Sequence, residues 1–169
     1  MTVETFYVKG WEEAEAGLVI SENADWVLVR HIPVDYMVDG FRLYNKDLLV
    51  KRERKSNEKQ IEKVLTLKQI TTETPDGFEF GTTEEILRWC EKKYGLFEFQ
   101  EEEEGELFYG KIREIENDFL LIHMIMDDGT VESDDQEYRL SEIRTISFET
   151  DYFKSIRLLW LDANRLINN

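Results

Sequence analysis

Apolar and polar positions alternate in short blocks along the chain, and the blocks occur in two similar arrangements. The segment "GLVISENADWVLVRHIPVD" at 17–35 aligns without a gap with "GKIREIENDFLLIHMIMDD" at 110–128. In each segment a glycine begins a strand pattern, a polar turn follows, and a run of branched and aromatic residues comes next. Weaker similarity continues between 41–65 and 138–160. The pattern therefore predicts an internal duplication.

Helical periodicity appears at the end of each copy and once between the copies. Apolar residues recur at helical spacing after Asp151 and, on a thinner stripe, over about 57–68. The segment "TTEEILRWCEKKYG" at 82–95 has the pattern of a complete helix, in which Thr82 or Thr83 caps the start and Gly95 ends it. Three helices are thus predicted, one of them a connection between the copies.

Short strands, tight turns and one closing helix per copy predict a mainly β protein with helices, of the α+β class. We expect two tandem, strongly bent antiparallel β-barrels of Sm-like or SH3-like size, because closing a sheet removes free edges. The first module with its helix would cover 1–70, the connecting segment and helix 71–95, and the second module with the C-terminal helix 96–169. The alternative is one continuous α+β sheet assembled from both copies.

A resemblance supports the barrel prediction. The sequence "YGLFEFQ…GELFYGKIREIENDFLLIHMI", followed by "YRLSEIRTISFETDYFKSIRLL", resembles uncharacterised bacterial cytoplasmic proteins with tandem Sm-like or SH3-like modules. The similarity covers roughly 86–160 and implies a small barrel without implying an activity. The chain departs from that pattern at Glu149 and Thr150, where a turn containing glycine is expected.

Composition adds an expectation about the compartment. The chain of 169 residues has one cysteine, Cys90, which excludes an internal disulfide and fits a reducing environment. The first residues lack a basic segment followed by an apolar one, so no signal peptide is expected. Apolar runs are also much shorter than the roughly 20 residues that span a bilayer. These features together predict a cytoplasmic protein without a membrane partner.

The charge is distributed unevenly along the chain. The formal net charge is -16, yet residues 1–70 hold 11 basic and 12 acidic side chains, whereas residues 71–169 hold 10 and 25. Such asymmetry suggests a charged partner, although a solvated surface produces it too. One basic segment stands out as a candidate partner-binding patch. Its residues are Lys51, Arg52, Arg54, Lys55, Lys59 and Lys63.

The residues do not form a recognisable catalytic, cofactor or metal motif. Cys90 falls on the predicted buried face of its helix, where a thiol behaves as a small apolar group. His123 lies in mid-strand, and the aligned position of the first copy is Arg30, which favours a boundary role for both side chains. The acidic segment "DDGTVESDDQE" at 127–137 lacks the ligand order of an EF-hand. We therefore expect no catalytic residue, no cofactor and no metal site.

Two functional hypotheses are favoured over a third, an enzyme. The first is a non-enzymatic protein-interaction module, of which an acidic inhibitor or immunity-type protein is one form, with a protein partner or self-association. The second is an RNA- or DNA-associated Sm-like module that uses the basic patch over 51–63, although the acidic second half opposes phosphate binding. Which partner applies depends on whether the patch is free or paired with acidic neighbours.

Overall fold

The computed structural model describes residues 1–167, with side chains described through residue 165. Within these residues there are ten β-strands and three α-helices. The first five strands and their helix are β1 (Thr2–Val8), β2 (Glu15–Glu22), β3 (Trp26–Ile32), β4 (Phe41–Asn45), β5 (Leu49–Glu53) and α1 (Ser56–Leu67). The remaining elements are α2 (Thr83–Tyr94), β6 (Phe97–Gln100), β7 (Phe108–Glu116), β8 (Phe119–Ile125), β9 (Gln136–Arg139), β10 (Thr145–Phe148) and α3 (Asp151–Ile167).

All described strands belong to one antiparallel sheet, in the order β5-β1-β2-β3-β4-β10-β6-β7-β8-β9. The protein is therefore mainly β with helices, as expected. Two separate closed barrels are not confirmed, because β4 pairs with β10 of the other half and joins the halves into one open sheet. This continuous sheet is the alternative that the sequence left open. We call the β4–β10 pairing the seam.

The two halves repeat the same hairpin geometry. In the β2–β3 hairpin Gly17 lies opposite His31, and in the β7–β8 hairpin Gly110 lies opposite Met124. Each residue of the second pair lies 93 positions after its counterpart in the first pair. An irregularity in the register also recurs, after Val19 in one hairpin and after Ile112 in the other. A short 3-10 helix precedes the last strand of each half, at Lys46–Leu48 and at Leu140–Glu142.

The helices cover the sheet over separate apolar clusters. Ile61 and Leu65 of α1 pack on a small cluster around Val3 and Leu18. A larger cluster lies beneath α2 and α3 and contains residues of both halves. Its members include Trp26, Leu43, Cys90, Phe99, Ile146 and Phe153. Because this core crosses the seam, burial as well as hydrogen bonding holds the halves together.

The connecting helix α2 begins and ends where its sequence predicts. The Thr82 hydroxyl accepts from the Glu85 backbone N–H, and the Glu85 side chain accepts from the Thr82 N–H, which forms a capping box. Gly95 ends the helix with φ 88°, a left-handed conformation that glycine adopts without steric cost. Local signals at both ends therefore suffice to define this helix.

The corner between β10 and α3 is as tight as a glycine turn although it contains none. Glu149 has φ 59°, and the Tyr94 hydroxyl donates to its carboxylate at 2.7 Å. The Thr150 hydroxyl then accepts from the Phe153 N–H at 3.0 Å and caps α3. A side-chain hydrogen bond thus accompanies the conformation for which a glycine was expected.

The apolar run in β8 is buried on one face and partly exposed on the other. Leu120 and Ile122 are buried in the large core, whereas Phe119 is 41% exposed and His123 is also exposed. The Arg139 guanidinium lies over the Phe119 ring, 4.9 Å from its centre.

Among the helices in residues 1–167, each is too short or too polar to cross a bilayer.

Candidate functional site

A row of polar side chains crosses the sheet at the seam. Strand register places Arg42 of β4 opposite Ser147 of β10, Ser147 opposite Glu98 of β6, and Glu98 opposite Tyr109 of β7. Residues that are directly opposite share a face of the sheet, so these side chains project to the same side. All four are buried. The seam therefore contains a buried polar cluster between the apolar clusters.

Arg42 is the centre of this cluster. Its Nε donates to the Ser147 hydroxyl at 2.9 Å and its Nη1 donates to the Glu15 carboxylate at 2.6 Å, while the Tyr44 hydroxyl donates to the same carboxylate oxygen at 2.6 Å. Burial acts to raise the pKa of Glu15, but the charge and hydrogen bond of Arg42 outweigh it and hold that pKa below its usual value. Glu15 and Arg42 thus form a buried, hydrogen-bonded ion pair.

Glu98 and Tyr109 leave polar atoms unsatisfied. Glu98 Oε2 and the Tyr109 hydroxyl are buried without a hydrogen-bond partner in the described part of the chain. Burial raises the pKa of Glu98 to about 7, and the charge of Arg42 only partly offsets this effect. Glu98 is therefore a carboxyl group that changes protonation near neutral pH, inside the junction of the two halves.

A cleft of about 590 Å³, here the seam cleft, opens beside the ion pair. Its walls come from β2, β3, β4, α1 and the β6–β7 connection, so both halves contribute. Its apolar lining includes Ile32, Ile61 and Leu107. Its principal polar lining residues are Glu13, Glu15, His31, Asp35, Arg42 and Glu104.

His31 is an unsatisfied group in the wall of the seam cleft. Its side chain is buried, with 8% of the residue exposed, and Nδ1 has no hydrogen-bond partner among residues 1–165. Burial and, to a smaller extent, the charge of Arg42 lower the pKa of His31 to about 3, and the charge of Glu15 only partly opposes them. His31 is consequently neutral at physiological pH.

A second concavity, of about 490 Å³, adjoins the seam cleft and shares Gly105 and Leu107 with it, and we call it the apolar groove. Its floor contains the partly exposed Met126 and Tyr152, which are 37% and 50% exposed. Other apolar floor residues are Leu107, Phe108, Tyr109, Met124 and Ile125. Acidic side chains of Glu106, Asp127 and Glu132 form the rim. Within the described residues none of these three carboxylates makes an ion pair.

The basic patch lies on β5 and α1, where most of its charge is neutralised. Four of its six residues make ion pairs with carboxylates of the first half, whereas Lys59 and Lys63 make none within the described residues. The ion pairs join Lys51 and Lys55 to Glu53, Arg52 to Glu4 and Glu22, and Arg54 to Glu62, at 2.6–3.0 Å. The acidic partners are neighbours in the same half and not the acidic second half.

Cys90 and His123, the two residues weighed for chemistry, lie in different environments. Cys90 is fully buried in the large core, and burial raises the pKa of its thiol far above the usual value. His123 is exposed, and its Nδ1 lies 3.0 Å from the Asp135 carboxylate, which also pairs with Arg113. The structure does not bring Cys90 and His123 together with a third group as a catalytic set requires.

The sequence-based prediction did not include the residues of the seam. The signal that could have identified them is a charged residue inside an apolar strand, as in Arg42 of "FRLY" and Glu98 of "LFEFQ". A buried charge is costly unless it is paired, so each such residue implies a partner on another strand. The identity of that partner depends on long-range pairing.

Comparison of the chain with models of protein families, with curated proteins and with solved structures gave no match.

Proposed function

We propose that the protein is a non-enzymatic protein-interaction module that binds a basic, amphipathic segment of a partner protein in the apolar groove. Its two five-stranded halves correspond in this proposal to two small barrels of the Sm-like or SH3-like type, opened toward each other and joined at the seam. The repeated register of the two hairpins and the two equivalent 3-10 helices support that interpretation. A single buried cysteine is consistent with action in the cytoplasm.

The groove itself carries the proposal. Met126 and Tyr152 expose apolar surface in a concave setting, and a methionine side chain adapts its shape to different partners. Aromatic residues and methionine are also enriched in protein interfaces. The acidic rim of Glu106, Asp127 and Glu132 surrounds this floor. Apolar anchors flanked by lysine or arginine therefore match the groove in both shape and charge.

The charge of the whole chain favours the same class of partner. A formal net charge of -16 attracts basic proteins and repels nucleic acid at long range. The basic patch offers little compensation, because Lys51, Arg52, Arg54 and Lys55 are already paired with carboxylates. These ion pairs make the RNA- or DNA-binding hypothesis the weaker of the two.

The direct test is binding of a synthetic helical peptide with leucines on one face and lysines on the other. We expect it to bind in fluorescence anisotropy at about 150 mM salt, with an affinity that falls as salt rises. A peptide in which glutamine replaces every leucine should bind at least about tenfold more weakly, because only the apolar anchors fill the floor.

Two variants place the binding in the groove. Met126→Asp puts a charge in the floor, and Glu132→Lys reverses a rim charge, so both should weaken binding of the peptide, the first by about tenfold or more. Glu116→Lys is the matched charge control, since Glu116 lies at the opposite end of β7, and Leu158→Asp is the control for an exposed apolar residue on α3. If the controls weaken binding as much as the groove variants do, the groove is not the site.

The nucleic-acid hypothesis is tested with the same method. Single- and double-stranded RNA and DNA probes should not bind at about 50 mM salt. If RNA binds in a salt-sensitive manner and Lys59→Glu and Lys63→Glu abolish that binding, the partner is a nucleic acid and not a protein.

A further inference from the structure

The seam cleft has the properties of a second binding site beside the apolar groove, with which it shares Gly105 and Leu107. We propose that it binds a small aliphatic amine, with the ammonium group at the acidic mouth and the methylene chain along the apolar wall. A volume of about 590 Å³ lies within the usual range for small-molecule sites. The proposal does not depend on the function of the groove.

The charge of the cleft selects a cation. Three exposed carboxylates, those of Glu13, Asp35 and Glu104, line it in addition to Glu15. Arg42 is the opposing cation in this lining, and its charge is already matched by Glu15 at 2.6 Å. The remaining charge is therefore negative, which disfavours anions such as phosphate and favours ammonium groups.

The wall of the cleft combines an apolar surface with the unsatisfied side chain of His31. His31 is neutral and carries a buried nitrogen without a partner, and such an unsatisfied group calls for an explanation in a folded protein. Ile32, Ile61 and Leu107 provide a wall for methylene groups. An aliphatic chain with amine groups matches this combination, whereas an apolar ligand would leave the carboxylates of Glu13 and Asp35 without a partner within the described residues.

The mouth of the cleft is held in place before any ligand arrives. The Glu104 carboxylate accepts from the backbone N–H groups of Glu12 and Glu13, both at 2.9 Å. The Trp11 indole also donates to the carbonyl oxygens of Glu101 and Glu102, at 3.2 and 3.1 Å. These contacts fix the β6–β7 connection against the β1–β2 connection. A preformed site loses less entropy on binding than a flexible one.

The test uses spermidine as a free amine and Nα-acetyl-lysine N-methylamide as a model for a lysine of a partner protein. Calorimetry at about 150 mM salt should detect binding of at least one of the two compounds. The compound that binds with the higher affinity shows whether the ammonium group comes from a free amine or from a lysine side chain. Tetraethylene glycol, a flexible chain without charge, and tripolyphosphate, an anion, should not bind. Failure of both amines to bind would overturn the proposal.

The chain contains two histidines, which provide an internal control for the location. In NMR spectra of the imidazole nitrogens, spermidine should move the His31 signals and leave the exposed His123 signals unchanged. A shift of His123 alone, or no shift of His31 at saturating amine, would show that the amine binds only to the acidic surface and would overturn the assignment.

Charge-removing variants complete the test. The backbone at Asp35 is left-handed, with φ 47°, and asparagine tolerates this conformation. Asp35→Asn therefore removes the charge without straining the backbone and should weaken amine binding by about two- to fivefold. Glu103→Gln changes an exposed neighbour that does not line the cleft and should change the affinity less than twofold. Equal effects of both variants would indicate diffuse attraction and not a site. Neither result decides whether the peptide binds in the groove, which is tested separately.

Discussion

Glu98 shows how a single residue responds to its place in the fold. It lies in the seam with a carboxyl oxygen that has no partner in the described part of the chain. Charged or titratable groups around it include Arg42, Asp39, Glu15, Tyr109 and Cys90, and Arg42 is the cation among these five. Because burial penalises the charged form, the folded protein binds the proton of Glu98 more tightly than the unfolded chain does.

We therefore predict that Glu98→Gln stabilises the protein at alkaline pH. The pKa of Glu98 is raised from 4.5 to about 7, so the wild-type free energy of unfolding falls as pH rises through this window. The neutral glutamine does not titrate, and the variant should gain up to about 3 kcal/mol over the wild type at pH 8 and little at pH 5. Urea unfolding at several pH values measures the difference.

The other carboxylates titrate in the wild type and in the Glu98→Gln variant alike, so their contributions cancel in the difference between the two free energies of unfolding. A difference between variant and wild type that is the same at pH 5 and pH 8 would show that Glu98 does not titrate in this window.

At the scale of elements, α2 is the part of the molecule that its own sequence defines best. Thr82, Glu85 and Gly95 form the caps that the sequence indicates, because capping involves residues only three or four positions apart. The hairpins were also recognisable, since strand alternation and turn residues are local. By contrast, Glu149 takes a conformation that suits glycine, with a bond from the distant Tyr94 that no local pattern reveals.

The cap of α2 gives a prediction about stability. Thr82→Ala removes the hydroxyl that accepts from the Glu85 N–H and should lower the free energy of unfolding by about 1 kcal/mol. Thr83→Ala, in the first turn of the same helix, removes no cap and should change it by less than about 0.5 kcal/mol. Chemical denaturation of both variants provides the measurement. Equal losses would show that the Thr82 cap does not stabilise the helix.

At the scale of the whole molecule, the sequence predicted the parts better than their assembly. The class of fold and the three helices follow from periodicity, but the pairing of Leu43 with Ile146 joins positions about 100 residues apart. Such pairing leaves no local signal, and either copy could have closed on itself. The candidate sites depend on the same long-range register, because Arg42, Ser147 and Glu98 meet only after β4 and β10 pair.

Several contacts besides the strand pairing cross the seam. Arg144, which is 5% exposed, donates through Nε to the Lys9 carbonyl oxygen at 2.9 Å. The Asp39 carboxylate accepts from the Asp151 N–H at the start of α3, at 2.8 Å. Trp26 and Leu43 of the first half also belong to the large core of the second. The segment between α1 and α2, by contrast, has little regular structure.

These features make the seam an internal interface that holds the halves together without needing the covalent link between them. We predict that fragments 1–73 and 74–169, expressed separately and mixed, reassemble into a complex of equal stoichiometry on size-exclusion chromatography, because each fragment alone leaves β4 or β10 as an exposed edge. Fragments that remain monomeric after mixing would show that the halves are independent. Reassembly would show that the seam is equivalent to the interface of a heterodimer, with both of its subunits in one chain.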